Sequence, residues 1–360
     1  MSKKMAYLMQ VNWNWIKQRP HFIAEKLSEY FELDLFYVKS FRKKGLVNNE
    51  VKCNFNSMKS FVKLPYSQIS KEVKWIEKRL NRSLMKRLYK SKYYDYYYIT
   101  CPRLLQFFDI TKISGGKIIY DCMDDIIELT SSEKDKNSVY LLEQELLKYA
   151  DIVLVSSLKL QDVIRGRGYK RKICLVNNGI EPKSLIVSGN IKLNLEEEKG
   201  LFNIYYIGTI SKWFDFDLIL KLLCIHEDIM FSLIGPVFTT TPKHERIRYM
   251  GTVEHDEIAQ YAIKADAFIM PFVRNDLVLA VDPVKVYEYI AFMKPTFVLK
   301  YDETVKFKDF VYLYNDLEDL SKQITAVKGG NFILTPKENI DHFMQENSWS
   351  SRAEYIYNNL

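Results

Sequence analysis

Residues 267–298 read AFIMPFVRNDLVLAVDPVKVYEYIAFMKPTFV. The apolar run that opens this stretch closes at Pro271, which predicts the end of a buried strand. Asp282 and Pro283 then have the pattern of an N-cap and a first helical residue, so a helix is predicted to begin there. Apolar residues return at 296–298. The stretch therefore predicts strand, loop, helix, turn and strand, the repeating unit of a parallel α/β sheet.

Within the predicted helix, Lys285 and Glu288 share one face. A lysine in the first turn opposes the helix macrodipole, but the position is favourable where an anion is held, because helix N-termini bind phosphate. A carboxylate one turn later accepts hydrogen bonds from sugar hydroxyls. Together the two residues suggest a nucleotide site, with phosphate near Lys285 and ribose near Glu288. The alternative is a surface ion pair of little energetic consequence.

Length and composition limit the classes of protein to which the chain can belong. The chain has 360 residues and 48% hydrophobic content, which favours two domains with filled cores. No apolar run reaches the roughly 18 residues that span a bilayer, and the N-terminal segment lacks the pattern of a secretory signal. The five cysteines are widely separated and form no CxxC pair. This spacing argues against a zinc site and for buried thiols in a reduced cytoplasm.

Charge is unevenly distributed along the chain. Residues 1–190 hold 34 Lys and Arg against 20 Asp and Glu, a net charge of +14, whereas the remainder has a net charge of −7. Residues 71–92 combine nine basic and two acidic residues with apolar residues at helical spacing, and 39–44 add a second basic cluster. These features predict an anionic membrane surface as partner. The alternatives are a solvated helix face and nucleic-acid binding; no nucleic-acid motif is present, so no such partner is expected.

Both halves alternate apolar strands with amphipathic helices, which predicts parallel α/β sheets. In the first half, strands are predicted at 6–11, 33–38, 96–100, 117–120, 152–155 and 172–176, with helices at 19–31, 137–148 and 158–165. In the second half, strands are predicted at 203–207, 231–234, 247–250 and 267–270, with helices at 218–224, 257–263 and 347–359. Residues 184–200 are polar and form the best linker candidate. The absence of a G-x-G-x-x-G motif after the first strand argues against a dinucleotide dehydrogenase, and no Walker A, nucleophile-elbow or HExxH motif occurs.

Five short motifs follow one another in order: NNGI at 177–180, IGTI at 207–210, LIGP at 233–236, YMGTV at 249–253 and AFMKP at 291–295. Together with Glu288 they resemble the GT-B glycosyltransferases of the family 4-like group, over most of the chain. Glu288 matches the second glutamate of that family's E-x7-E signature, which holds the nucleotide ribose. The segments 15–22 and 213–215 are similar to a subgroup found among bacterial capsule, teichuronic-acid and O-antigen gene products.

The resemblance implies two Rossmann-like α/β domains facing a cleft: an acceptor-binding domain at 1–183 and a nucleotide-sugar-binding domain at 184–345. It further implies a terminal helix at 346–360 that crosses back to the first domain. The implied donor is a nucleotide sugar, most simply a UDP-sugar, transferred with retention of configuration. The implied donor-binding residues are Gly208, Lys212, Pro236, Thr252, Val253, Arg274, Asp282, Pro283, Val284, Lys285 and Glu288.

The chain departs from the family pattern at three positions. Ala280 stands where the first glutamate of the signature is expected, and Thr209 and Phe214 replace the arginine and lysine that usually bind the donor diphosphate. Lys285, Arg274 and Lys212 are the available replacements. Lys285 ranks first because it lies in the first turn of the helix.

The loops that follow predicted strands of the first half carry the remaining candidates. Asp124, in DCMDD at 121–125, is the candidate for contact with donor or acceptor hydroxyls and, with Lys285, for catalysis; the alternative is loop capping. No metal or other cofactor is expected, because the adjacent carboxylates of Asp124 and Asp125 diverge. The candidate acceptor-binding residues, for which a structural role is the alternative, are Asn12, Trp13, Trp15, Arg19 and His21. The tryptophans suit stacking on a sugar, and Arg19 and His21, at the start of the following helix, suit contact with a phosphate.

The sequence thus predicts a bacterial glycosyltransferase (EC 2.4) that moves a sugar from a nucleotide-sugar donor. Its acceptor is predicted to be a cell-surface polysaccharide or lipid-linked glycan precursor, at the cytoplasmic face of the cell membrane. Two alternatives remain open. One is a nucleotide-sugar epimerase, which shares the two-domain fold. The other is a catalytically inactive GT-B subunit that binds a partner enzyme, which the departures at Ala280, Thr209 and Phe214 would permit.

Overall fold

A computed structural model describes residues 2–15, 17–40, 54–67, 70–182, 200–253, 257–332 and 335–360. The chain divides into two compact units. Unit 1 comprises Met1–Asn177 and Trp349–Leu360, and unit 2 comprises Asn178–Ser348. The predicted boundary between 183 and 184, nearly all of the predicted linker at 184–200 and most of the basic cluster at 39–44 lie outside the described residues.

The described strands of unit 1 form a seven-stranded parallel sheet in the order β3-β2-β1-β4-β5-β6-β7. They are β1 (Lys4–Met9), β2 (Glu32–Ser40), β3 (Ser57–Lys63), β4 (Tyr96–Ile99), β5 (Lys117–Cys122), β6 (Ile152–Val155) and β7 (Lys172–Leu175). The α-helices of the unit are α1 (Arg19–Leu27), α2 (Lys71–Leu80), α3 (Arg82–Leu88), α4 (Ile126–Leu129), α5 (Glu133–Tyr149) and α6 (Leu158–Gly166), with α13 (Trp349–Asn359) from the chain terminus.

The described strands of unit 2 form a six-stranded parallel sheet in the order β10-β9-β8-β11-β12-β13. They are β8 (Phe202–Ile207), β9 (Ile229–Ile234), β10 (Ile247–Gly251), β11 (Ala267–Met270), β12 (Thr296–Leu299) and β13 (Tyr312–Tyr314). The α-helices are α7 (Phe216–Ile225), α8 (Ile258–Ile263), α9 (Asp276–Leu279), α10 (Val284–Ala291), α11 (Leu317–Lys328) and α12 (Lys337–Glu346). The predicted class of two parallel α/β units is confirmed.

The terminal helix α13 packs on α1, as predicted. The rings of Phe22 and Trp349 stack with centroids 5.3 Å apart, and those of Tyr30 and Tyr357 stack at 4.8 Å. Trp349 is 1% exposed and belongs to the same apolar cluster as β1 and β4. Because buried aromatic pairs contribute most of the packing energy at such contacts, α13 is an integral part of unit 1.

The structure adds two features between β2 and β4 that the sequence did not indicate. The stretch 71–92, whose apolar residues have helical spacing, contains two helices, because Asn81 turns its side chain away from the helix to bond the backbone of Val62 on β3. Strand β3 itself was missed, since only Phe61 of its seven residues is buried and the strand shows no apolar alternation. Among the described helices, none combines the length and apolar character needed to cross a membrane.

The strand ends of unit 2 meet so closely that one of them requires glycine. Gly235 follows β9 with φ of +136°, and a Cβ atom there would lie 2.1 Å from the carbonyl oxygen of Gly208, which follows β8. The two residues cannot move apart freely, because the Gly208 N–H donates to Ile234 O at 2.8 Å. Gly251, at the end of β10, also has positive φ (+75°), but a Cβ atom there would meet nothing within 4 Å.

We expect Gly235→Ala to destabilise unit 2 far more than Gly251→Ala. Both variants place alanine at positive φ, which costs about 1–2 kcal/mol. Gly235→Ala adds a backbone clash and should cost roughly 4 kcal/mol or more. Chemical denaturation of the two variants measures the difference, and equal midpoints would contradict the close strand contact.

Candidate functional site

The loops after β8, β9 and β10 lie together at one edge of the unit 2 sheet. Gly208 N donates to Ile234 O and Gly235 N donates to Gly251 O, both at 2.8 Å, so the three strand ends are tied together. Strand order reverses between β8 and β11, and such a switch point is where parallel α/β sheets bind ligands. Four predicted donor-binding residues lie at this edge: Gly208, Pro236, Thr252 and Val253.

Helix α10 is fixed to the same edge. The Tyr289 hydroxyl donates to Ile207 O at 3.1 Å and accepts from Ile207 N–H at 2.8 Å, so α10 is held at the last residue of β8. Glu288 precedes this anchor, and its carboxylate lies 2.8 Å from Lys285 Nζ. The side chains of Lys285 and Glu288 are 31% and 10% exposed. The structure therefore brings these two predicted residues together, beside the switch point.

The order of this pair is not the one that favours an isolated helix. An acidic residue before a basic one complements the macrodipole, whereas here lysine precedes glutamate. Lys285 in the first turn therefore contributes little to the stability of the helix itself. The placement does suit a negatively charged ligand near the helix start, with Glu288 as the residue that holds the ammonium group in position.

Asp282 does not occupy the predicted N-cap position. The N-cap is Pro283, without a side-chain cap, and the helix begins at Val284. The Asp282 carboxylate is 2% exposed and instead binds Lys306 Nζ at 2.7 Å and the Asn178 N–H at 2.5 Å. Because these partners and the Tyr287 hydroxyl at 3.2 Å surround it, Asp282 orients the start of α10 rather than facing solvent.

The other two predicted basic residues, Lys212 and Arg274, differ in their hydrogen bonds. Lys212 is exposed, and no side chain of the described residues bonds it. Arg274 is exposed, but its guanidinium donates to Lys300 O at 2.6 Å. Phe214, at the position of the family lysine, is 5% exposed with its ring 4.9 Å from that of Tyr206, and Ala280 is also buried. Two of the three departures from the pattern, Phe214 and Ala280, are therefore buried, whereas Thr209 is half-buried.

In unit 1, the predicted phosphate-binding Arg19 is buried in an ion pair. Arg19 is 4% exposed and bonds Asp121 through Nε at 3.1 Å and Nη2 at 2.9 Å. Its Nη1 donates to Val176 O at 2.8 Å, and the Tyr98 hydroxyl donates to Asp121 at 2.9 Å. This corrects the prediction that Arg19 binds a phosphate, because Asp121, 102 residues away in the chain, neutralises its guanidinium at the strand ends of β4 and β5.

A second buried network contains Asp125. Arg167 bonds both carboxylate oxygens of Asp125, at 2.8 and 2.7 Å, and Glu143 at 2.7 Å. Asp125 also caps α4, and burial raises the pKa of Glu143, which accepts from the Tyr120 hydroxyl. Asp124 lies between these two networks in the chain, yet it is exposed and its carboxylate has no bond to the described residues. Of the three aspartates, Asp124 remains available to a ligand.

The loop after β1 is more buried than its composition suggested. Trp13 is 2% exposed, with its ring 5.3 Å from His21 and 5.2 Å from Phe55. Trp13 is therefore a core residue, which corrects its assignment to sugar stacking. Asn12 and Trp15 are partly exposed, and the Asn12 side chain accepts from the Asn14 N–H at 3.1 Å.

His21 is fully buried and neutral. Its Nδ1 accepts from the Gln18 N–H at 3.2 Å, so Nε2 carries the hydrogen and donates to Asn12 O at 3.2 Å. Burial lowers the pKa of His21 to about 4, outweighing these backbone contacts. A neutral, enclosed imidazole offers no charge to a phosphate, which corrects the prediction that it binds one.

Three structural partners were missed by sequence reasoning. Asn178 and Lys306 hold Asp282 from 104 and 24 residues away, and Arg167 reaches Asp125 across 42 residues. No local spacing signals such pairs. The only sequence signal was the N-G turn at 177–180, which was interpreted as a family motif rather than as a partner of α10.

Comparisons with known proteins agree with this architecture. No protein-family model matches the chain. The "putative teichuronic acid biosynthesis glycosyltransferase TuaH" of Bacillus subtilis (strain 168) is 25% identical over 260 residues, or 66% of this chain. The chain spans about 65% of the length of this curated relative.

Solved structures extend the likeness to the whole chain. Sucrose-phosphate synthase from Thermosynechococcus elongatus has a TM-score of 0.71 at 13% identity, covering 99% of this chain and 98% of its own. Anabaena HepE in complex with UDP and glucose has a TM-score of 0.71 at 13% identity, covering 99% of both chains. The fold is that of GT-B glycosyltransferases; at such identity, these structures establish the fold alone.

We expect Asp121→Asn to destabilise unit 1 strongly. The substitution leaves the Arg19 guanidinium buried without a counter-charge, which should cost about 3–5 kcal/mol. The control is Asp162→Asn, an exposed position on α6 where a change within about 0.5 kcal/mol is expected. Chemical denaturation gives both values, and a small effect of Asp121→Asn would contradict a buried pair.

We also expect His21 to make unit 1 sensitive to acid. The pKa of His21 is about 4 in the folded state and about 6.5 in the unfolded state, so the unfolded chain binds more protons between these values. Stability is therefore fully present above about pH 6.5 and falls as the pH drops towards 4, by about 3 kcal/mol.

The His21→Gln variant should show a shallower loss of unfolding midpoint between pH 6.5 and 4 than the parent. His342→Gln is the matched control, because His342 is exposed on α12. An unchanged slope in His21→Gln would show that another group carries the pH dependence.

Proposed function

We propose that this chain is a glycosyltransferase that takes a sugar from a UDP-sugar donor bound at the carboxyl edge of the unit 2 sheet. The observation that carries the proposal is the Lys285–Glu288 pair, held at 2.8 Å at the start of α10 beside the β8–β11 switch point. The likeness to TuaH supports the reaction class, and the UDP complex of HepE supports the choice of nucleotide.

In this proposal Lys285 binds the donor diphosphate. When the bond between sugar and nucleotide breaks, negative charge develops on the leaving diphosphate, and an adjacent ammonium group stabilises that charge. Lys212 and Arg274 are exposed and are proposed to assist from the loops after β8 and β11. Glu288 accepts hydrogen bonds from the ribose hydroxyls. Asp282, Pro283 and Val284 fix the start of the helix.

The acceptor is proposed to be a cell-surface polysaccharide or a lipid-linked glycan precursor. Support comes from the likeness to TuaH, a putative teichuronic acid biosynthesis glycosyltransferase, and from the accessible polar groups that follow β1 and β5. Asn12, Trp15 and Asp124 are the proposed contacts with donor or acceptor hydroxyls. The loops that carry these contacts are held in place by three buried residues, Arg19, Trp13 and His21.

The donor site is tested by calorimetric titration with UDP and with uridine. Losing a charged hydrogen bond of about 1.5–3 kcal/mol should weaken binding roughly 10–100-fold. We expect Lys285→Ala to weaken UDP binding but not uridine binding, because it removes only the phosphate contact. We expect Glu288→Ala to weaken both.

Glu318→Ala is the matched control, since it breaks a Lys–Glu pair of similar length (2.7 Å) on the exposed face of α11. It should leave both affinities unchanged. If neither UDP nor uridine binds the parent chain, the donor site is wrong and the inactive-subunit alternative is favoured. If UDP-sugar is converted without any acceptor, the epimerase alternative is favoured.

A further inference from the structure

Helix α2 is attached to unit 1 through polar groups rather than through an apolar face. The Glu77 carboxylate accepts from the Leu64 N–H at 2.7 Å. Asn81, at the end of the helix, bonds the backbone of Val62 through both side-chain atoms, at 2.9 and 3.0 Å. Both residues are buried, at 8% and 2% exposed. The inward face of α2 is thus built from a carboxylate and an amide, the reverse of an ordinary surface helix.

The apolar residues of α2 point outward instead. Trp75 is 61% exposed, Ile76 is 44% exposed and Leu80 is 52% exposed. Tyr66, in the turn before the helix, is 73% exposed, and its carbonyl oxygen accepts from the Ser70 N–H at 2.9 Å. Ile76 and Leu80 share the helical spacing of Leu84 and Leu88, but only the last two are buried.

Basic side chains surround these apolar ones. Exposed lysines and arginines occur throughout α2 and α3, namely Lys71, Lys74, Lys78, Arg79, Arg82 and Lys86. The Arg79 guanidinium lies 5.6 Å from the centroid of the Trp75 ring. Glu72 is the exposed acidic residue within these two helices. The surface therefore combines strong positive charge with exposed aromatic and aliphatic groups.

Hydrogen bonds to a buried carboxylate of β2 hold α3, and through it α2, on unit 1. Arg87, near the end of α3, bonds the buried Asp34 on β2 through Nε at 3.0 Å and Nη2 at 2.5 Å. The Tyr94 hydroxyl and the Ser57 hydroxyl each donate to the same carboxylate at 2.6 Å. Because Asp34 fixes α3 and Asn81 joins it to α2, the outward face of α2 has a defined position on the unit.

We propose that α2, together with Tyr66 ahead of it, forms a docking surface for an anionic phospholipid bilayer. Tryptophan and leucine side chains on a helix lying in the interface enter the headgroup region, while flanking lysines and arginines bind anionic lipid. The core of a protein–protein interface is depleted in charged residues. Here the apolar side chains are interspersed with basic ones, which suits lipid headgroups. The surface belongs to unit 1, so the proposal is independent of the donor site.

Flotation of the full chain with lipid vesicles, without nucleotide, tests the proposal. Binding should occur to vesicles of phosphatidylcholine with phosphatidylglycerol and not to phosphatidylcholine alone, and it should weaken between about 0.1 M and about 0.5 M salt. Trp75→Ala combined with Leu80→Gln should reduce partitioning at least roughly tenfold. Lys74→Gln and Lys78→Gln should each reduce it about fivefold.

Leu141→Gln is the matched control, because Leu141 is 61% exposed on α5, away from α2 in the chain. It should partition like the parent. Unchanged circular dichroism of each variant separates lost binding from lost folding. The proposal is overturned if the parent chain does not bind anionic vesicles, if it binds neutral vesicles equally well, or if the α2 variants bind as the parent does.

Discussion

Parallel strand pairing decides where the chemistry of this chain lies. In a parallel sheet each strand is followed by a crossover, so all carboxyl ends open on one edge. Strand order reverses between β1 and β4 in unit 1 and between β8 and β11 in unit 2, and loops diverge at both points. In unit 2 the contact of Gly235 with Gly208 draws the strand ends together, and Tyr289 fixes α10 beside them.

Buried ionic networks then decide which polar residues remain available. Arg19 with Asp121, Arg167 with Asp125 and Lys306 with Asp282 are each closed pairs, at 2.9, 2.7 and 2.7 Å. Removing one partner of such a pair is costly, because the other charge is left buried. These pairs serve as supports for the loops. Among the predicted site residues, the exposed Asp124, Lys212 and Arg274 and the partly exposed Lys285 are charged groups that remain accessible.

In helix α2 the buried contacts are also polar, but the side chains left accessible include apolar ones. Its attachment to β3 uses Glu77 and Asn81, whose bonds to backbone groups occupy the inward face. The apolar side chains of Trp75 and Leu80 are therefore left on the outside, among lysines and arginines. Apolar side chains that are left exposed add little to packing within the unit, and this is why the face is proposed as a surface for a partner.

The sequence by itself determined the alternation of strands and helices, the parallel class, the terminal helix and the position of Lys285 one turn before Glu288. These depend on local periodicity, proline and glycine, which act within a few residues. Only the tertiary structure decided that Arg19, Trp13 and His21 are buried, that Asp282 holds Asn178 and Lys306, and that Ile76 and Leu80 face outward. Each of these depends on a partner far away in the chain, and composition or spacing at one position carries no information about that partner.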